Sequence, residues 1–335
     1  MKKTRIFING FGRIGRSAAR IILEDGSLEL VGINDLYDYE QMAYLLKYDS
    51  VYDTLPNDIS ISSDSLLIDD KEVKLFSIKN PYDLKLHSLG VDVLLECSGV
   101  FLTLESTQAF IDNGVPRVVV STPPQDDMPV YICGVNDKEY KDEPIISNSS
   151  CSANAIVPIL KVVEKNFAIR GAQMHMFHSY TAYQNLLDVK HYSKDIRRSR
   201  AAAVNIIPID SSAARATGYF FSYLKDNLYA KSIRIPVAAT TMYDILIKLD
   251  REYELSDVKE KIVAEIKSNY RGILDISSEP RVSSDYVANI HSATIDLPLL
   301  DVSGELLRVS AWQDNEYGYA YRLVEMAKVI SVRSK

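Results

Sequence analysis

The residue best placed to do chemistry is Cys151, in the run I-I-S-N-S-S-C-S-A-N-A-I-V-P over residues 145–158. Four small polar residues precede it and an apolar helical pattern follows it. A cysteine opening a helix faces unpaired backbone N–H groups and the positive end of the helix dipole. That setting favours the thiolate, the form that attacks carbonyl carbon. Free cysteines more often pack as small buried hydrophobes, so the assignment needs support from elsewhere in the chain.

A second constellation supplies it. Residues 10–15 read G-F-G-R-I-G, after a β-rich run and at the start of a helical pattern. In G-x-G-x-x-G, Gly10 permits the tight turn, Gly12 lets the backbone approach a pyrophosphate, and Gly15 lets helix and strand pack closely. The helix N-terminus then offers N–H donors to the phosphates. Asp35 closes the next strand twenty residues past Gly15. A carboxylate there holds a ribose hydroxyl and repels a 2′-phosphate, which favours NAD over NADP.

A dinucleotide site together with a nucleophilic cysteine points to aldehyde oxidation through a thioester, a reaction that also needs a base. The five histidines are His87, His175, His178, His191 and His291. His175 and His178 sit at the end of a strand pattern, and their odd separation puts them on opposite faces. Spacing alone does not choose between them.

The elements that must carry these residues fall into two halves. In the first, strand patterns at 4–9, 28–34, 73–78, 91–97 and 117–121 alternate with helical ones at 13–24, 39–47 and 104–113, as in an α/β doubly wound parallel sheet. The second half has a helix at 153–167 and longer strand patterns at 169–177, 230–235, 242–249, 293–297 and 306–312. Helical patterns at 211–223 and 258–268 interrupt them. That reads as an α+β domain with a mixed or antiparallel sheet. The expected organisation is a Rossmann domain over 1–150, completed by a C-terminal helix at 316–335, and a catalytic domain over 151–315. Cys151 then lies at the junction, and clefts between domains commonly hold ligands.

The bulk properties are those of a 335-residue globular chain, 47% hydrophobic and 25% charged, with net charge −7. The acidic balance argues against a nucleic-acid partner, and no apolar run approaches a membrane span. Cys97, Cys133 and Cys151 form no metal-like spacing, so no metal is expected. An odd number of thiols fits a reducing, cytoplasmic setting.

Read together, I-N-G-F-G-R-I-G, L-L-K-Y-D-S-V, G-V-D-V-L-L-E-C-S-G, I-I-S-N-S-S-C-S-A-N, H-S-Y-T-A-Y-Q, R-R-S-R-A-A-A-V-N-I-I-P, R-V-S-S-D and W-Q-D-N-E-Y-G-Y resemble the glyceraldehyde-3-phosphate dehydrogenase family along nearly the whole chain. The resemblance implies phosphorylating oxidation of glyceraldehyde 3-phosphate with NAD and inorganic phosphate. It makes Cys151 the nucleophile, His178 its base and His175 structural. Asn315 would hold the nicotinamide carboxamide, Arg13 and Ile14 would offer backbone N–H groups to the pyrophosphate, and Ser121 would line the cofactor side. Thr181 and Arg234 match residues that hold the substrate phosphate, while Ser150, Ser152 and Ser211 match the inorganic phosphate site. Residues 181–205 resemble a loop that crosses to a neighbouring subunit in a homotetramer.

Several positions depart from the family pattern. Ser212 stands in D-S-S-A-A for a glycine in the phosphate loop, where a Cβ would crowd an anion or change the backbone angle, and Asp210 adds negative charge beside it. Tyr183, Gln313 and Lys79 replace, in turn, a small or acidic residue, a tyrosine, and an arginine near the adenine. These changes keep open a relative, erythrose-4-phosphate dehydrogenase, which releases its thioester with water. A catalytically weak NAD-binding interaction protein is the reading from another class.

Overall fold

A computed structural model describes residues 2–332. The chain divides into two compact units, Met1–Ser150 with Ala320–Lys335, and Cys151–Tyr319.

The first unit begins β1 (Thr4–Asn9), α1 (Arg13–Glu24), β2 (Leu28–Asn34) and α2 (Tyr39–Lys47). It continues through β3 (Ile59–Ser62), β4 (Ser65–Ile68), β5 (Lys71–Phe76), β6 (Val93–Glu96), α3 (Leu104–Asp112), β7 (Val118–Val120) and β8 (Ile145–Ser147). The strands form one sheet in the order β3-β4-β5-β2-β1-β6-β7-β8. From β5 to β8 every pairing is parallel. The sequence reading omitted the β3–β4 hairpin, which extends the sheet by antiparallel pairing.

Strand order reverses at β1, so β2 and β6 diverge on either side of it. This is the switch point where open α/β sheets bind ligands at their strand ends. Phe7, Val31, Leu94, Phe110 and Val118 belong to the core on one side of the sheet. The parallel strands read as continuous apolar runs because both faces are covered.

The second unit holds α4 (Cys151–Asn166), β9 (Ile169–Ser179), β10 (Ile207–Asp210), α5 (Ala213–Phe220), β11 (Leu228–Ile235), β12 (Thr241–Leu249) and α6 (Leu255–Asn269). There follow β13 (Leu274–Ser277), β14 (Ala293–Asp296), β15 (Asp301–Ser303) and β16 (Leu306–Gln313). The sheet order is β10-β11-β9-β12-β16-β14-β13, with β15 on β16. It is mixed: β11 runs parallel to β9 and β13 to β14, while β12 is antiparallel to both β9 and β16. Along β12 the alternation Thr241, Tyr243, Ile245, Ile247 is buried and the residues between are partly or fully exposed.

One expected helix, 211–223, is interrupted. α5 ends at Phe220 and a 3-10 helix, Ser222–Asn227, follows. The last helix, α7, runs Tyr317–Val332, and most of it belongs to the first unit. Residues 333–335 of the expected helix lie outside the described residues.

Candidate active site

Three strands position His178. His178 is the penultimate residue of β9, opposite Arg234 in β11 and opposite Thr241 in β12. Thr241 in turn lies opposite Gln313 in β16. Arg234, His178, Thr241 and Gln313 therefore form one row across four strands. Cys151 is the first residue of α4, and its Sγ lies 3.8 Å from His178 Nε2. The pair is held in hydrogen-bonding reach, at the length usual for a sulfur contact.

The other ring nitrogen fixes the imidazole. His178 Nδ1 lies 2.7 Å from the Ser179 carbonyl oxygen and against Arg234 Nη1. In the tautomer with Nδ1–H on that carbonyl, Nε2 presents its lone pair to the thiol; a hydrogen bond from Arg234 Nη1 to Nδ1 belongs to the other tautomer. His175, three residues back, points to the exposed face of β9.

Burial, and then the charge of Arg234, push the His178 imidazole down to about 3, so it is neutral near pH 7. Burial also raises the Cys151 thiol, against the pull of Arg234, the Ser152 hydroxyl and nearby backbone N–H groups. The sequence reading expected a lowered thiol from the helix N-terminus alone. Those N–H groups do favour the thiolate, but the loss of water outweighs them. The resting pair is thus a neutral thiol facing a neutral imidazole, with Arg234 favouring charge on sulfur once the proton moves.

Arg234 also donates from Nη1 to the Ser179 carbonyl at 3.0 Å. Its Nε is buried without a partner among the described residues. Burial brings the guanidinium down to about 10, where it stays charged near pH 7. A half-buried cation with an unused N–H is what an anionic group of a substrate requires.

Asn315 has a defined orientation. Its Oδ1 accepts from Ser179 Oγ at 2.9 Å and Thr241 Oγ1 at 3.4 Å. The amide nitrogen is therefore left as the donor. Thr181 follows β9 in a turn and donates its N–H to Gln184 Oε1 at 3.0 Å. Ser152 Oγ lies 4.0 Å from Cys151 Sγ, and Ser150 directly precedes Cys151 in the chain.

Ser211 and Ser212 are not in the His178 row. They follow the end of β10 that pairs with Lys231, three residues along from Arg234, or roughly 10 Å by strand rise. Ser212 has φ −79°, an ordinary value, so its Cβ imposes no backbone strain there. Asp210 is tied to Lys231 Nζ at 2.8 Å, which offsets its charge. Tyr183 is exposed.

In the first unit the glycine loop has the form a dinucleotide needs. Gly10 has φ +92°, and a Cβ there would collide with the backbone of Cys97 and Ser98. A Cβ on Gly15 would strike the Gly10 carbonyl. Gly12 differs, since a Cβ there meets nothing within 4 Å. The protein's own packing therefore does not require a glycine at this position. The N-cap, Gly12, offers no side chain to the first turn of α1, where Arg13 and Ile14 sit. The Arg13 guanidinium is engaged with Asp49 and lies over Tyr52, leaving the backbone as its means of contact.

Asp35 accepts from Phe11 N and from Leu36 N, which aims the carboxylate beside the loop. Ser121 is buried at the end of β7, its N–H on the Glu96 carbonyl at 2.9 Å. Lys79 is exposed in the loop after β5. Burial raises the thiols of Cys97 and Cys133 well above the usual range, in keeping with packing.

Two family models match the chain. Residues 4–104 match "Glyceraldehyde 3-phosphate dehydrogenase, NAD binding domain", and residues 150–315 match "Glyceraldehyde 3-phosphate dehydrogenase, C-terminal domain". The chain belongs to the glyceraldehyde-3-phosphate dehydrogenase family. Glyceraldehyde-3-phosphate dehydrogenase 1 of Bacillus cereus is 37% identical over 327 residues, 97% of each chain. The Geobacillus stearothermophilus glyceraldehyde-3-phosphate dehydrogenase is 36% identical over 330 residues, 98% of each chain. A chloroplastic relative, glyceraldehyde-3-phosphate dehydrogenase GAPA1 of Arabidopsis thaliana, is 36% identical over 98% of this chain and 84% of its own. The residues matched by the NAD-binding model, 4–104, lie in the first unit, which also holds the glycine loop and Asp35.

Sequence reasoning missed Ser179, Thr241, Tyr243 and Gln313 as site residues. The buried alternation of β12 is the one signal that marks Thr241 and Tyr243; it does not say which strand faces them.

Proposed function

We propose that this protein catalyses the NAD-dependent, phosphorylating oxidation of D-glyceraldehyde 3-phosphate, with Cys151 as nucleophile and His178 as its base. The observation that carries the reading is the 3.8 Å contact of Cys151 Sγ with His178 Nε2, beside an Arg234 with a spare buried N–H.

Arg234 and Thr181 hold the substrate phosphate and so place the aldehyde at the thiol. The sulfur adds to the carbonyl carbon as its proton passes to His178 Nε2. The Cys151 backbone N–H is the donor for the oxygen that gains charge. His178 returns the proton to that oxygen, giving a neutral hemithioacetal. When bound, NAD supplies a hydride acceptor, held in orientation by the Asn315 amide nitrogen. His178 takes the hydroxyl proton again as the thioester forms. Inorganic phosphate, received by Ser150, Ser152, Ser211 and Ser212, then attacks the thioester carbon. Cys151 leaves as thiolate and recovers a proton from His178, and the product is an acyl phosphate.

The apolar stretch supports a homotetramer, and the free thiols a cytoplasmic setting. Leu186, Leu187, Tyr192, Ile196 and Val204 lie exposed within one short stretch of chain, an apolar display that calls for a covering surface. The three cysteines are all free. Among the described residues no helix is long and apolar enough to cross a membrane. The test is NADH formation by the purified enzyme on glyceraldehyde 3-phosphate. Cys151→Ser should abolish it; retained turnover in that variant would rule out the thiol route.

A further inference from the structure

We infer that Tyr243 and Gln313 are positioning residues for the nucleophile: this buried pair grips the Cys151 carbonyl and so sets the first turn of α4 against His178. The inference rests on the reading of Cys151 as nucleophile.

Gln313 Nε2 donates to the Cys151 carbonyl oxygen at 3.1 Å. Tyr243 Oη donates to Gln313 Oε1 at 2.7 Å. Both side chains are at most 1% exposed. Buried amides and phenols without partners are costly, so the two bonds constrain each other. The tyrosine hydroxyl decides which end of the amide faces Cys151. Were the amide turned over, its oxygen would meet the carbonyl oxygen, acceptor against acceptor.

Strand register explains why these two residues meet. Gln313 lies opposite Thr241, and Tyr243 is two residues further along the same face of β12. They are diagonal neighbours on one face of an antiparallel pair. Thr241 is also the partner of His178. A single row of the sheet thus carries both the base and the amide that holds the nucleophile's backbone. Gln313 stands where the family usually has a tyrosine.

The bond also bears on the sulfur. The Cys151 carbonyl belongs to the peptide unit whose N–H, on Ser152, favours the Cys151 thiolate. A donor on that carbonyl polarises the unit and strengthens its N–H as a donor. The titratable or charged groups facing Cys151 from the sheet are His178 of β9, Arg234 of β11 and Tyr243 of β12. Burial keeps the Tyr243 phenol protonated, so it serves as a donor across the working range.

The experiment compares full-length Tyr243→Phe, Gln313→Met and the double variant with the parent enzyme. The readouts are kcat and KM on glyceraldehyde 3-phosphate, the pH midpoint of Cys151 alkylation by iodoacetamide, and Tm. Loss of one such bond predicts that Tyr243→Phe lowers kcat about fivefold, leaves KM within about twofold, and moves the midpoint up by about half a pH unit. Gln313→Met should do at least as much, and the double variant no more than Gln313→Met alone. An unmoved midpoint in a folded Tyr243→Phe enzyme would overturn the inference, even with a lowered Tm, as would additive effects in the double variant. Since alkylation needs no substrate, an enzyme inactive on glyceraldehyde 3-phosphate that still shows these shifts overturns the proposed activity and not this inference.

Discussion

His178 lies opposite Arg234 in the parallel register of β9 and β11, with the guanidinium against the imidazole Nδ1. The contact has two electrostatic effects of opposite use. A fixed cation beside the ring discourages a second positive charge on it. The same cation favours negative charge on the Cys151 sulfur. The row therefore stores a neutral base next to a thiol and stabilises the thiolate when the proton moves.

Arg234→Leu should weaken both effects on which the thiol depends. The pH midpoint of Cys151 alkylation should rise, because the cation that favours thiolate is gone. Turnover should also lose a charged contact to the substrate phosphate, a loss of about 10- to 100-fold in kcat/KM. Unphosphorylated glyceraldehyde should lose much less. Equal losses on the two aldehydes would remove the phosphate contact from the account.

His178 makes stability depend on acid. Its folded value is about 3, against an ordinary histidine near 6.5. Between these values the unfolded chain binds a proton that the folded chain refuses, so stability falls as pH drops from about 6.5 towards 3. His178→Gln removes this contribution. Thermal denaturation from pH 7 to pH 4.5 should show a steeper fall in Tm for the parent than for the variant. Parallel curves would mean that His178 is not held neutral. The same variant should lose about 10²- to 10⁴-fold in kcat through loss of the base.

The glycine loop separates packing from binding. Gly10→Ala adds a Cβ at φ +92° into the backbone of Cys97 and Ser98, and should sharply lower Tm. Gly12→Ala adds a Cβ into open space. It should change stability by no more than about 1 kcal/mol, yet weaken NAD binding measured by calorimetry at least about tenfold. Normal NAD affinity in Gly12→Ala would place the pyrophosphate elsewhere.

Asp35 governs the choice of cofactor in this account. Asp35→Ser removes the charge that repels a 2′-phosphate and a ribose acceptor. NAD affinity should fall and NADP affinity rise, narrowing the ratio by about tenfold or more. An unchanged ratio would show that the carboxylate does not face the ribose.

Much of this was legible in the sequence because it is local. The bounds of β1, α1, β2 and α2 follow from apolar period and from turn residues, and G-F-G-R-I-G carries its own geometry. The odd spacing of His175 and His178 correctly separates their faces. The β3–β4 hairpin escaped because Ile59–Ser62 and Ser65–Ile68 are short and partly polar. The break in the 211–223 helix escaped because nothing at Phe221 marks a stop. The meeting of Tyr243 with Gln313 was illegible for a deeper reason. They are 70 residues apart, and only the register of β12 against β16 brings them to Cys151. The thiol's direction was misjudged similarly, since the helix N-terminus can be read from sequence and the burial cannot.

The most direct test is NADH formation by the purified enzyme with glyceraldehyde 3-phosphate or erythrose 4-phosphate, each with and without inorganic phosphate. The account predicts sustained turnover of the triose phosphate that requires phosphate and disappears in Cys151→Ser. Preferred turnover of erythrose 4-phosphate, indifferent to phosphate, would contradict it and identify Asp210–Ser212 as the place where deacylation passed from phosphate to water.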